Sequence, residues 1–341
     1  MNKGFLVVYN TCNLYRDNVD ETLIRLWIDD IQSILEQSFE NYHLAISECR
    51  GPKKSLIESN PLMDEFIQNV VSTDSSYNII YENLPMNATF HYTVMEIVKK
   101  LGKFEYYMYI SSGISFRNVS DEKIDVFKKI YDFLKQNQDI ARLNLSAIND
   151  NCFPPLSQDY IDSLRTEPYY MKPGYRVNDH CSIYSNDLYE AYNGRLRPDI
   201  YIGNGSEPPF SYLTSAINKK NVIAPLYICP PLVHNKRQDG ANPGIGNQKW
   251  FLNYDSQEKI MEFRKRMEKN NIFIDYGPEG GGSSTNDSLT EENKMIIEKT
   301  FGSDGVTMDE LDRKNLLKIL KKELFVTQDI IDYNNLNNKL L

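Results

Sequence analysis

The chain reads as an α/β protein with a mostly parallel central sheet flanked by helices and a C-terminal helical extension. Three observations lead there. Four short apolar runs alternate with three amphipathic stretches over the first 110 residues, the order that builds a parallel sheet covered by helices on both faces. The alternation resumes after residue 120. Beyond a Gly/Ser/Thr/Asn-rich stretch at 277–288, Ser288-x-x-Glu291 and Thr307-x-x-Glu310 fit capping boxes, and each precedes an apolar-periodic run.

Each element follows from its residues. Gly-Phe-Leu-Val-Val-Tyr at 4–9 is apolar nearly throughout, as a strand buried on both faces is, and Asn10-Thr11-Cys12-Asn13 ends it. Residues 20–38 place Leu23, Leu26, Trp27, Ile31, Ile34 and Leu35 on one helical stripe. Strands at 42–47, 77–81 and 106–110 alternate with helices at 61–71 and about 89–101. Ser111-Ser112-Gly113 breaks the fourth strand. A helix at 121–136 and a strand near 140–146 continue the order. The middle third is less regular: a strand at 181–184, a helix at about 186–193, a strand at 199–202, a helix at about 209–218 and an apolar segment at 222–228 before Pro230-Pro231.

Composition excludes several classes. The 38 basic and 47 acidic residues leave a formal charge of −9, without the basic footprint of a nucleic-acid or anionic-membrane binder. The cysteines Cys12, Cys49, Cys152, Cys181 and Cys229 form no CxxC pair, which argues against a zinc knuckle and a disulfide framework. No apolar run reaches the ~18 residues of a transmembrane span, and the one at residues 5–9 is too short for a secretory leader. The expectation is a cytoplasmic protein with reduced thiols.

Ligands of open α/β sheets sit beyond the carboxyl ends of the strands. Those ends carry Tyr9-Asn10, Ser47-Glu48 and Ser111-Ser112-Gly113. The first turn, Tyr-Asn-Thr-Cys-Asn, is not GxGxxG, and no GxxxxGK[ST] occurs. A sugar nucleotidyltransferase would need a Gly-rich basic loop at the same place, which is absent. What remains is a nucleotide site that does not grip phosphate with its first loop.

The segment Asn87-Ala-Thr-Phe-His-Tyr-Thr-Val-Met-Glu-Ile-Val-Lys-Lys-Leu-Gly-Lys-Phe-Glu-Tyr-Tyr-Met-Tyr-Ile-Ser-Ser-Gly-Ile resembles one stretch of the GT-A family of nucleotide-sugar glycosyltransferases, of a family 2-like type. Val7-Val8-Tyr9-Asn10 is similar to that family's first strand, and the strand ending at Ser47-Glu48 to its second. The resemblance implies that Tyr9, Asn10, Glu48 and Asn87 contact the donor, with Ser111, Ser112 and Gly113 at the position of the family's Asp-x-Asp motif. That motif holds Mn²⁺ or Mg²⁺, and hard cations take carboxylate oxygens. Here the acidic ligands are missing, so either Mn²⁺ or Mg²⁺ is held from elsewhere in the chain or the site works without a metal, and side chains then neutralise the leaving diphosphate. Lys236 and Arg237, with His234 beside them as a candidate phosphate or metal contact, lie in a Gly-rich loop at 234–249 that reads as a lid.

The resemblance also implies one carboxylate to take the acceptor's proton. Glu207 follows a Gly-rich turn ahead of a helix, with Asp199 and Asp179 as rivals; its plainer role is a carboxylate at a helix N-terminus. One base favours inversion, and retention stays open. The expected organisation is a nucleotide-sugar-binding half at 1–120, an acceptor and catalytic half at 121–276, a linker at 277–288 and a helical tail at 289–341 that docks on the sheet or on a second copy. The expected activity is transfer of a sugar to a hydroxyl acceptor such as a glycan. The alternative from another class is an inactive nucleotide-sugar or glycan-binding protein on the same scaffold.

Overall fold

A computed structural model of the chain describes residues 3–11, 21–48, 60–73, 79–83, 90–145, 147–148, 165–171, 181–191, 214 and 217–234. In chain order the described elements are β1 (Phe5–Asn10), α1 (Glu21–Leu35), β2 (Tyr42–Glu48), α2 (Pro61–Thr73), β3 (Ile79–Asn83), α3 (Phe90–Leu101), β4 (Tyr106–Ser111) and β5 (Ile114–Ser115). They continue with α4 (Phe127–Gln136), β6 (Ile140–Asn144), β7 (Ala147–Ile148), β8 (Tyr169–Met171), β9 (Cys181–Ser185), α5 (Asn186–Ala191), β10 (Lys220–Ile223) and β11 (Leu232–His234).

One eight-stranded sheet runs β3-β2-β1-β4-β9-β6-β10-β8, and a three-stranded sheet runs β5-β11-β7. In the large sheet β3, β2, β1, β4, β6 and β10 share a direction, while β9 and β8 oppose it. The mostly parallel sheet expected from the alternating pattern is therefore present. The reversal at β9 is not foreshadowed by it.

The core lies between the sheet and the helices α1 and α4. The β1 residues Phe5, Val7 and Tyr9 share a face with Tyr42, Leu44 and Ile46 of β2 and Tyr106, Met108 and Ile110 of β4, because parallel register pairs Phe5 with both Tyr42 and Tyr106. Against this face α1 buries Leu23, Ile24, Trp27, Ile31 and Ile34, and α4 buries Phe127, Ile130, Phe133 and Leu134. Phe5 is the centre of an aromatic cluster, edge-on to Phe39, Phe127 and Tyr131 with ring centroids 5.6–6.0 Å apart. Gly4 precedes β1 at a point where the chain passes Asn41 too closely for a side chain: a Cβ there would stand 2.3 Å from the Asn41 carbonyl oxygen.

The second half of the sheet is fastened by buried amides. Asn144 donates to the Asn221 side chain at 2.8 Å, and Ser182 donates to Asn144 at 2.8 Å, linking β10, β6 and β9. Cys181 and Cys229 are buried free thiols; burial raises the pKa of both, that of Cys229 to about 12.

Among the boundaries that differ from the sequence reading, two have a local cause in turn chemistry. The helix expected from 121 starts at Phe127, because Asn118 folds the preceding segment: its side-chain oxygen accepts the amides of Ser120 and Glu122 at 2.8 and 2.9 Å. The apolar segment at 222–228 is only partly strand. It ends at Ile223, and Pro225 organises a turn whose carbonyl accepts the amides of Ile228 and Cys229. Among the described residues, no helix is long and apolar enough to cross a membrane.

Candidate functional site

The parallel strands end in a row of small polar residues. Asn10 of β1 stands in register with Ser47 of β2 on one side and Ser111 of β4 on the other. One step further, Glu48 pairs with Asn83 of β3. Asn10, Glu48 and Ser111, separated by up to 101 residues in sequence, thus share one edge of the sheet, as the strand-end argument expects. Asn83 and its neighbour Glu82 join that edge because β3 runs two residues past the expected end at 81. The apolar run stops at Tyr81, so hydrophobicity alone did not reveal them.

Next to the edge, the chain leaves β4 through Ser112 and Gly113 and enters β5. Gly113 has φ of 93°, a conformation that disfavours any side chain, and it is buried, whereas Ser111 and Ser112 are partly exposed. The small sheet brings a distant segment to the same place. His234 of β11 pairs with Ile114, the residue after Gly113, so the backbone of His234 lies beside the turn. This join is invisible in the sequence, because strands of two or three residues carry no readable period.

Tyr9 takes a different position from the one expected. Its side chain is fully buried, and its hydroxyl donates to Asp30 Oδ2 at 2.6 Å. The pleat puts it on the α1 face, one row behind Asn10. Tyr9 therefore offers no exposed ring to a ligand and bears on the edge through Asp30. The same Asp30 oxygen accepts the Gly113 amide at 2.8 Å. One turn along α1, Ser33 Oγ accepts the Phe116 amide at 3.0 Å and donates to the Asp30 carbonyl at 2.6 Å. Asp30 and Ser33 are both fully buried. Sequence reasoning missed Asp30, although the signal was there: a carboxylate set among Trp27, Ile31 and Ile34 on the apolar stripe of α1.

Glu207, Asp199, Asp179, Asn87, Lys236 and Arg237 lie outside the described residues, as do the linker, the tail and the 234–249 loop beyond His234. The described residues do not suit a hard cation at the turn. Ser111 and Gly113 supply no carboxylate, and among the described residues no three His, Cys, Asp or Glu side chains come together as ligands.

A cavity of about 390 Å³ opens at the other end of β4, lined among others by Lys3, Phe104, Glu105, Lys135 and Asn186. It lies at the amino end of that parallel strand, away from the Ser111 edge. Its cations are engaged: Lys135 pairs with Glu105 at 3.0 Å, Lys103 with Glu190, and Lys3 donates to the Leu101 carbonyl.

No known family model and no curated protein matches the chain. Solved structures do. The crystal structure of GalNAc-T7 with UDP, GalNAc and Mn²⁺ aligns with a TM-score of 0.51 and 13% identity, over 94% of this chain and 58% of that one. S. aureus TarS 1–349 in complex with UDP-GlcNAc aligns with a TM-score of 0.48 and 12% identity, over 94% of this chain and 90% of that one. A further crystal structure of S. aureus TarS 1–349 aligns with a TM-score of 0.42 and 11% identity over 69% of this chain, which spans 58% of that one's length. At these identities the GalNAc-T7 likeness shows the fold: a mixed α/β, GT-A-like architecture.

Proposed function

We propose that the chain is a glycosyltransferase that moves a sugar from a nucleotide-sugar donor to a hydroxyl acceptor, a glycan or a similar molecule, by inverting single displacement. The observation that carries this reading is the Asn10–Ser47–Ser111 row, which ends parallel strands beside the Gly113 turn, at the point where β9 reverses the sheet. Asn10, Glu48 and Asn87 hold the nucleoside. Ser111, Ser112 and the Gly113 turn face the diphosphate, and Lys236 and Arg237 cover it as it leaves. Glu207, with Asp199 as its rival, takes the acceptor hydroxyl's proton. The freed oxygen bonds to the anomeric carbon while that carbon's bond to the diphosphate breaks. The protein works in the cytoplasm, with its helical tail docked on the sheet or on a second copy.

The test is hydrolysis and transfer from a panel of UDP-, GDP- and dTDP-sugars, each with Mn²⁺ and with EDTA. Turnover in EDTA supports transfer without a resident cation. A second reading, a nucleotide-sugar-binding protein without turnover, is favoured by Ser111-Ser112-Gly113 where an acid pair would stand. It predicts binding without turnover for every acceptor tried.

A further inference from the structure

The turn between β4 and β5 is held from behind by α1. Gly113 and Phe116, at the two ends of the excursion, both give their amides to α1 side chains, Asp30 at 2.8 Å and Ser33 at 3.0 Å. Tyr9, one residue before Asn10 on β1, gives its hydroxyl to the same Asp30 oxygen at 2.6 Å. One buried carboxyl oxygen thus ties together the ends of the two neighbouring strands, β1 and β4, and the helix that covers them.

We propose that Asp30 is a positioning residue for the candidate donor site: it sets Ser111 and Ser112 against Asn10 through Gly113 and Tyr9. This rests on the transferase reading of that edge. Where an acid pair and a cation would fix the turn from the ligand side, this chain presents hydroxyls, and its fixation comes from the protein side. A carboxyl oxygen accepting two hydrogen bonds in a dry site is a stiff tether, since losing it strands both donors. A small displacement of the turn is costly, because contacts to a diphosphate depend on ångström-level placement.

The experiment compares Asp30→Ala, Asp30→Asn and Ile31→Ala with wild type, using the full chain. Ile31 is equally buried on the same helix and touches the core without bonding the turn. Three quantities are read: UDP-sugar affinity by calorimetry, KM and kcat for donor turnover, and deuterium exchange over residues 108–118. Asp30→Ala raises Kd and KM by roughly 10–100-fold and exposes the Gly113 amide to exchange. Asp30→Asn, which keeps an accepting oxygen, recovers most of the loss, to within about 3-fold. Ile31→Ala lowers Tm but leaves Kd and exchange over the turn at wild-type values. Asp30→Ala with wild-type Kd and wild-type exchange overturns the proposal. If wild type itself binds no sugar nucleotide of any base, the transferase reading fails instead, and exchange over 108–118 alone still decides whether Asp30 holds the turn.

Discussion

Asn10 and Ser111 close β1 and β4 as register partners, side by side on the carboxyl edge of the sheet. If a donor diphosphate lies against that edge, a carboxylate introduced there is repelled by it unless a cation intervenes. Ser111→Asp is expected to weaken UDP-sugar binding roughly 10-fold in EDTA and to regain affinity when Mn²⁺ is added. Titration calorimetry in the two buffers measures this. Equal affinity in EDTA for Ser111→Asp and wild type would place the diphosphate elsewhere.

Gln37 joins α1 to the start of α4. Its amide nitrogen donates to the carbonyls of Ser33 and Ile124, and its oxygen accepts the amides of Val126 and Phe127 at 2.9 and 3.3 Å. It therefore caps a helix nearly ninety residues away, in a buried setting where water cannot substitute. Gln37→Ala should cost roughly 2–4 kcal/mol in denaturant unfolding. A loss under about 0.5 kcal/mol would mean that these bonds contribute little net stability.

His43 on β2 packs edge-on against Phe104, with ring centroids 5.1 Å apart. Burial, and then the nearby Lys3 ammonium, lower its pKa below the ordinary 6.5. The unfolded chain then binds the proton more readily than the folded one. Its contribution to stability is complete above pH 6.5 and is lost as pH falls through the lowered folded value. As pH rises toward and through 6.5, wild-type unfolding free energy should climb more steeply than that of His43→Gln. Parallel curves would show that the imidazole titrates alike in both states.

Glu207→Gln removes the proposed base and keeps its shape. The expectation is a fall in kcat of ~10²–10⁴ with donor affinity near wild type. Unchanged kcat would pass the role to Asp199, whose Asn variant is then the next measurement.

What the sequence discloses follows from how each element is buried. β1 is buried on both faces, so it appears as an unbroken apolar run, and α1 shows its stripe because one face alone meets the sheet. The reversed direction of β9 has no counterpart in composition, since an antiparallel strand inside a buried sheet is as apolar as its neighbours. β5, β7 and β11 are too short to show a period, so the approach of His234 to the turn emerges only from pairing. The strand-end argument places Asn10, Glu48 and Ser111 on one edge of the sheet, and the pairing shows that shared edge. The pleat turns Tyr9 away from that edge to the α1 face, and Asp30 sits among the apolar residues of the α1 stripe, where periodicity alone does not mark it.

The most direct measurement is donor turnover by the full chain, read as free nucleoside diphosphate, with UDP-, GDP- and dTDP-sugars in EDTA. The account predicts turnover of at least one of them, with Ser111→Asp losing most of it in the same buffer. Absence of turnover and of binding for every donor, with or without Mn²⁺, would contradict it.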